Sequence, residues 1–111
     1  MIDLVRDYCL AKSFVTESFP FDEITLIMKV HGKIFMMAAL ATEPLRINLK
    51  CNTEKAIELR VEYYQVIPGY HCNKKHWNTI ILENLDPSSI HEWIDHSYQL
   101  IWNKLPKAIK G

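Results

Sequence analysis

The chain has 111 residues, of which 49% are apolar, and its 13 basic side chains balance its 13 acidic ones. This length and composition predict one soluble domain, residues 1–111, that needs no disulfide or metal to fold. Zero net charge argues against strong non-specific nucleic-acid binding, which requires many phosphate contacts, but it allows a local basic surface.

The first third of the chain predicts a helix followed by a β-hairpin. Apolar residues at helical spacing predict a helix over Ile2–Lys12, and turn-forming residues predict a loop over Glu17–Glu23. Two apolar runs, Thr25–Val30 and Lys33–Leu40, are typical of strands. Gly32 lies between them and can adopt positive φ without steric cost, which favours a hairpin turn.

The middle of the chain predicts a third strand and a second helix. Apolar and polar residues alternate over Leu45–Cys51, which is typical of a half-exposed strand. Asn52 or Thr53 can cap a helix that runs to about Tyr64 and ends before Val66–Tyr70. The predicted buried side of this helix consists of Ala56, Ile57, Leu59, Val61 and Tyr64.

The last third predicts a fourth strand and a long helix. His76–Leu82 is predicted as the strand, with Trp77, Thr79 and Ile81 on one face. Asp86 and Pro87 suit the N-cap and first position of the helix, and Ser89 with Glu92 offers an alternative capping box. Pro106 is predicted to end the helix, whose apolar stripe is Ile90, Trp93, Ile94, Ile101 and Leu105.

The predicted order is α-β-β-β-α-β-α, an α+β fold. Such an order favours helices packed on one face of a mainly antiparallel sheet, with the other face partly exposed. Three widely spaced cysteines, Cys9, Cys51 and Cys72, favour reduced thiols in a cytoplasmic protein. No apolar run is long enough to span a bilayer. We expect a monomer without a cofactor or membrane contact.

The stretch Pro68–Thr79 combines turn residues with histidines, lysines, asparagines and aromatic residues, and it allows two interpretations. As a contact surface for an anion or nucleic acid, it would use charge, amide hydrogen bonds and a stacking ring from Lys74, Lys75, Asn73, Asn78, and Tyr70 or Trp77. As a structural loop, it would rely on a rigid turn, backbone hydrogen bonds and a core aromatic residue from Pro68, Gly69, His71, Asn78 and Trp77.

Catalytic and metal sites are not expected in this stretch. His71, Cys72 and His76 are possible zinc ligands, but their spacing matches no known structural zinc site. His91 and His96 are five residues apart and do not share a helix face well. A Cys72–His76 nucleophile pair would lack an oxyanion hole and an orienting carboxylate. We therefore predict that the protein is not an enzyme and holds no metal.

Basic residues concentrate in the predicted strands and in the loop after the second helix. They would form a positive patch if the fold brought them together, although strand lysines also commonly serve solubility alone. The predicted patch consists of Lys29, Lys33, Arg46, Lys50, Lys74 and Lys75.

Five segments, in this order, resemble the MmcQ/YjbR family over nearly the whole chain. They are Glu17–Asp22, Lys29–Phe35, Asn48–Cys51, the stretch Pro-Gly-Tyr-His-Cys-Asn-Lys-Lys-His-Trp-Asn-Thr over residues 68–79, and His96–Tyr98. The signature loop comprises Pro68, Gly69, Tyr70, His71, Asn73, His76, Trp77, Asn78 and Thr79.

The resemblance implies a frataxin-like (CyaY-like) fold and a DNA-binding protein with two wings, and it brings no catalytic residues. The first helix lacks frataxin's dense acidic ridge, so iron binding is not implied. Relatives more often carry Met where this chain has Cys72, which favours packing over reactivity there.

These observations predict a non-enzymatic protein that binds DNA weakly. One wing would be the hairpin His31–Lys33 and the other the loop Tyr70–Lys75. Phosphate contacts would come from Lys33, Lys74 and Lys75, with Lys29, Arg46 and Lys50 lining the sheet between the wings. The alternative is a module that binds a protein or a small anionic ligand through the Tyr70–Trp77 loop.

Overall fold

The computed structural model describes residues 1–69 and 73–110. Six strands form one antiparallel sheet in the order β1-β2-β3-β4-β6-β5. The strands are β1 (Val15–Ser18), β2 (Thr25–Val30), β3 (Lys33–Ala39), β4 (Arg46–Lys50), β5 (Val66–Pro68) and β6 (Trp77–Ile81). The helices are α1 (Ile2–Leu10), α2 (Thr53–Glu62), α3 (Pro87–Asn103) and α4 (Lys107–Lys110).

A row of small and branched apolar residues across five strands forms the floor of the core. Register places Leu26, Ala38, Ile47, Ile80 and Val66 side by side, and each is at most 3% exposed. Ile90, Trp93 and Ile94 of α3 pack in the same cluster. Burial of each of the larger side chains contributes about 1.5–3 kcal/mol, so this layer adds substantially to the stability of the fold.

The helix starts follow the predicted caps. The Asp86 carboxylate accepts a hydrogen bond from the Ser88 N–H at 2.9 Å, with Pro87 in the first turn. The Asn52 side chain accepts from the N–H groups of Glu54 and Lys55. The prediction of an α+β fold with helices packed on a mainly antiparallel sheet is confirmed.

Several element predictions were wrong. The predicted loop Glu17–Glu23 begins inside β1, an edge strand that pairs with β2. The segment Val66–Tyr70, which was expected only to end the second helix, begins with the edge strand β5. Pro106 does not end the long helix, since α3 ends at Asn103; Pro106 instead immediately precedes α4.

The predicted buried side of α2 was wrong in part. Ala56 and Leu59 are buried, but Ile57 is 55% exposed, Val61 84% and Tyr64 64%. Three or four residues separate contacting side chains on a helix, and α2 packs through the Ala56–Leu59 side. Within residues 1–69 and 73–110, no helix combines the length and apolarity needed to cross a bilayer.

Candidate nucleic-acid interface at one end of the sheet

Several lysines lie at one end of the sheet, which we call the basic end. Antiparallel strands alternate in direction, so the β2–β3 turn, the last residue of β4 and the segment before β6 lie together; Lys50 is paired with Trp77. The helix α3 runs back to this end. The basic end therefore carries Lys29, Lys33, Lys50, Lys74, Lys75 and Lys104, followed in the chain by Lys107 and Lys110.

The opposite end of the sheet is rich in carboxylates, and we call it the acidic end. The connections β1–β2, β3–β4 and β6–α3 lie there, and they carry Asp22, Glu23, Glu43, Glu83 and Asp86. The molecule is thus polarised although its net charge is zero. Glu54, in the first turn of α2, is an acidic residue that follows β4 at the basic end.

The six predicted cations are divided between the two ends. The structure brings together Lys29, Lys33, Lys50, Lys74 and Lys75. Arg46 instead pairs with Ala39 and Ile81 at the acidic end of β4. Lys50 is four positions further along the extended strand, a distance of roughly 13 Å.

Lys33 and Lys50 line a cavity together with Lys104, a residue that the sequence did not nominate. The cavity has a volume of about 220 Å³, and its remaining lining is apolar: Ile101, Leu105 and Pro106. Burial and the neighbouring Lys104 ammonium lower the pKa of Lys50. Among residues 1–69 and 73–110, no carboxylate lies within ion-pair distance of these three lysines. Clustered ammonium groups of this kind attract an anion.

Ser97 of α3 fixes the backbone at Lys50. The β3–β4 ladder stops at the pair Met36–Leu49, and the Ser97 hydroxyl is inserted at the next position. It accepts a hydrogen bond from the Lys50 N–H at 2.9 Å and donates one to the Phe35 carbonyl at 2.6 Å. The helix that carries Lys104 is thereby joined directly to the strand that carries Lys50.

The two neighbours of Ser97, His96 and Tyr98, each accept or donate a hydrogen bond that joins α3 to another connection. The Asn52 N–H donates to His96 Nε2 at 3.1 Å, and burial, followed by the charge of Lys55, lowers the pKa of His96. The Tyr98 hydroxyl donates to the Ser13 carbonyl at 2.7 Å. The family segment His96–Tyr98 therefore joins α3 to three parts of the chain that surround the basic end.

The described part of the signature loop is a tight turn that exposes Lys74 and Lys75. The Asn73 side chain accepts a hydrogen bond from the Lys75 N–H at 3.0 Å. The Asn73 backbone carbonyl accepts one from the Trp77 N–H at 2.9 Å. The His76 carbonyl accepts from the Cys51 N–H at 2.8 Å. Tyr70, His71 and Cys72 lie outside the described residues, and with them part of the predicted wing.

Arg60 of α2 braces this turn, which the sequence did not indicate. Its Nε donates to Asn78 Oδ1 at 2.7 Å, and its Nη2 donates to the Trp77 carbonyl at 3.4 Å. Asn78 is buried and hydrogen-bonded, as the structural interpretation predicted.

The prediction that Trp77 fills the core was wrong. Strand alternation turns Asn78 and Ile80 towards the helices, so Trp77 lies half-buried on the other face with Thr79, whose hydroxyl donates to Asn48.

The described cysteines are buried thiols. Burial raises the pKa of Cys9 to about 12 and also raises the pKa of Cys51. A thiol with a raised pKa is a poor nucleophile at neutral pH. No group of three or more His, Cys, Asp or Glu residues within the described ranges is arranged to hold a metal ion.

Comparison with known proteins gives consistent family and fold matches. A family model described as YjbR matches residues 10–100. The chain is 35% identical to the uncharacterized protein YjbR of Escherichia coli K12 over 107 residues, covering 96% of this chain and 91% of that one. It is 33% identical over 106 residues to the uncharacterized protein YbdF of Escherichia coli O157:H7, covering 95% and 87%.

Two solved structures share the fold. Protein DR2400 of Deinococcus radiodurans, a DUF419 domain, superimposes with a TM-score of 0.94 at 33% identity and covers 99% of this chain and 85% of its own. A protein from Pseudomonas syringae superimposes with a TM-score of 0.76 at 24% identity, covering 88% and 96%.

Proposed function

The chain belongs to the YjbR family, and from that premise we propose that it binds DNA through phosphate contacts at the basic end and catalyses no reaction. The observation that carries this proposal is the convergence of Lys33, Lys50, Lys74 and Lys75 from separate parts of the chain. Lysines supply the electrostatic, sequence-independent part of DNA binding.

The spacing of the two proposed wings supports DNA as the ligand. The β2–β3 hairpin and the start of β6, which follows Lys74 and Lys75, both lie at the basic end, and β4 lies between them in the sheet. Three strand spacings separate the centres of the β2–β3 and β5–β6 pairs, which corresponds to roughly 14 Å. The major groove of B-DNA is about 12 Å wide, so the wings can contact phosphates on either side of one groove.

Salt dependence of binding to a labelled duplex tests the proposal. If Lys33, Lys74 and Lys75 each neutralise one phosphate, log affinity falls against log salt with a slope of about −2.7. The variant Lys33→Ala/Lys74→Ala/Lys75→Ala is expected to lose most of the affinity and the slope. Arg46→Ala, which removes a cation at the acidic end, is the control and is expected to retain both.

Absence of duplex binding at low salt contradicts the proposal, as does equal binding by the triple variant. Charge polarity without net charge predicts modest affinity, because the acidic end partly offsets the attraction at low ionic strength, where screening across the molecule is weakest.

A second candidate function, binding of a small anionic ligand, is favoured by the cavity of Lys33, Lys50 and Lys104. Its site differs from the Tyr70–Trp77 loop that the sequence suggested. A phosphomonoester or dicarboxylate that binds there raises the melting temperature of the wild type, since ligands of the folded state stabilise it. The shift is expected to vanish in Lys50→Ala/Lys104→Ala. A panel of such anions without any shift would remove this candidate.

A further inference from the structure

An aromatic cluster lies beside the lysines of the basic end. The Phe14 ring, in the α1–β1 connection, stacks on the His31 ring with centroids 4.3 Å apart. Trp102 of α3 lies 6.1 Å from Phe14 and 5.6 Å from His31. Phe14 is nevertheless 60% exposed. The cluster therefore presents one aromatic ring, supported from behind by two others, to the solvent.

The backbone holds Phe14 in this position against its own preference. Phe14 has φ +62°, in the left-handed region that non-glycine residues occupy at a cost of roughly 1–2 kcal/mol. His31 and Gly32 have φ +47° and +80°, as a two-residue hairpin turn requires. The His31 N–H donates to the Phe14 carbonyl at 3.1 Å, which joins the two connections. Backbone strain that presents an exposed ring is typical of functional positions.

His31 carries a buried ring nitrogen within the cluster. Its Nε2 is buried and has no hydrogen-bond partner among the described residues. Buried polar side-chain atoms normally find a partner. The His31 ring is therefore held in the cluster by stacking on Phe14 and by its backbone hydrogen bond, not by a hydrogen bond from this nitrogen.

The aromatic cluster and the lysine cavity are built from the same two segments. His31 and Lys33 are two residues apart in the β2–β3 hairpin, and Trp102 and Lys104 are two residues apart at the end of α3. Residues two apart on a helix do not share a face, so Trp102 and Lys104 lie on different sides of the end of α3, which packs near the β2–β3 hairpin. A strand that follows this end of the molecule meets both the lysines and the aromatic surface. That combination, a basic groove with an exposed ring, is how proteins bind single-stranded nucleic acids.

We infer that an unpaired base stacks on Phe14 while a phosphate of the same strand contacts Lys33 and Lys104, so that the preferred ligand of the basic end is single-stranded DNA. This inference rests on the proposed function. In an intact duplex the faces of the bases are covered by their neighbours, and Phe14 could not reach them without unstacking.

The competing interpretation is that Phe14 only packs the two connections together. Packing would be served by a buried ring, whereas 60% of Phe14 faces solvent. The substitution Phe14→Gly separates the two roles, because glycine adopts φ +62° without strain and keeps the connection intact while removing the ring. Phe21→Gly is the matched control, since Phe21 is an exposed phenylalanine in the β1–β2 connection at the acidic end.

The experiment measures binding of a labelled oligothymidylate and of a duplex of equal length at the same low salt. Wild type is expected to bind the single strand more tightly. Phe14→Gly is expected to weaken single-strand binding by roughly five- to 150-fold, the range for loss of one stacked base, and to leave duplex binding and the melting temperature nearly unchanged. Phe21→Gly is expected to bind both as wild type does.

Each outcome distinguishes the inference from the proposed function. If the lysine variant loses duplex and single-strand binding but Phe14→Gly loses neither, the inference is overturned and the proposed function stands. Tighter binding to the duplex than to the single strand overturns the inference in the same way. If wild type binds neither ligand at low salt, both fall.

Discussion

Gly69 and Trp77 lie so close together that a side chain on Gly69 has no space. A Cβ at position 69 would be 2.8 Å from both the Cβ and the carbonyl oxygen of Trp77. The Gly69 N–H donates to that same carbonyl at 2.8 Å. The Pro-Gly pair of the signature loop is thus explained by close approach of two backbones, where β5 ends beside the first residue of β6.

Gly69→Ala is therefore expected to destabilise the fold by about 1–3 kcal/mol, because the added methyl group must displace the Trp77 backbone. Urea unfolding gives the free-energy difference. The matched variant is Gly32→Ala, where nothing lies within 4 Å but φ is +80°, so its cost is conformational alone. Gly69→Ala should also weaken DNA binding if the loop carries Lys74 and Lys75 to the ligand. An unchanged free energy of unfolding would contradict the steric explanation.

Ser97→Ala is expected to cost about 2–4 kcal/mol although it removes one oxygen atom. The Ser97 side chain is fully buried, and its loss leaves the Lys50 N–H and the Phe35 carbonyl without their partner. Each buried unsatisfied group costs about 1–3 kcal/mol. Ser89→Ala, in the first turn of the same helix, is the control and should change stability by less than about 0.5 kcal/mol. Similar values for the two variants would mean that water replaces the hydroxyl.

The sequence predicted the long and regular elements because their patterns are long enough to detect. Strand β4 alternates buried Ile47 and Leu49 with Arg46, Asn48 and Lys50, as the sequence pattern indicated. Strands β1 and β5 have four and three residues, which are too few to show a period. Pro68 suggested a break, yet proline is tolerated on an edge strand such as β5.

The site was predictable in its charges but not in its assembly. Lys33, Lys50, Lys74 and Lys75 were identified from local charge, and antiparallel pairing accounts for their meeting at one end. Lys104 joins them only because α3 runs back along the sheet, and Arg60 reaches the loop only because α2 packs beside β5 and β6. Such contacts between distant parts of the chain leave no periodic signal in one sequence.

His96 makes stability sensitive to acid. Its Nε2 accepts a hydrogen bond from the Asn52 N–H, which requires a neutral ring, and burial, together with Lys55, lowers its pKa from the ordinary value of 6.5. Glu92 opposes this shift. A pKa lower in the folded state than in the unfolded state means that the unfolded chain binds the proton more readily. The stabilisation is therefore complete above pH 6.5 and is lost as pH falls through the folded-state pKa.

The expected result is that the free energy of unfolding of the wild type falls with pH below 6.5, and that His96→Gln falls less steeply. Chemical unfolding at a series of pH values from neutral to mildly acidic measures both slopes. Glutamine can still accept from the Asn52 N–H through its amide oxygen but does not titrate. Parallel slopes for wild type and variant would exclude His96 as the source of the acid sensitivity.

Lys104→Met is expected to move stability and binding in opposite directions. Lys50 and Lys104 hold two positive charges at one cavity, and their repulsion contributes to the lowered pKa of Lys50. Removing one charge while keeping an apolar stem relieves this repulsion, so the free energy of unfolding should rise by up to about 0.5 kcal/mol at low salt. The gain should disappear at high salt, where screening already weakens the repulsion.

The same variant should bind DNA more weakly and with a smaller salt slope, because it has lost a phosphate contact. Lys107→Met, in the exposed first turn of α4, controls for the loss of a positive charge near this end. If Lys104 serves solubility alone, the variant gains stability and binds as the wild type does. If it is part of a ligand site, the chain gives up stability at this position for function.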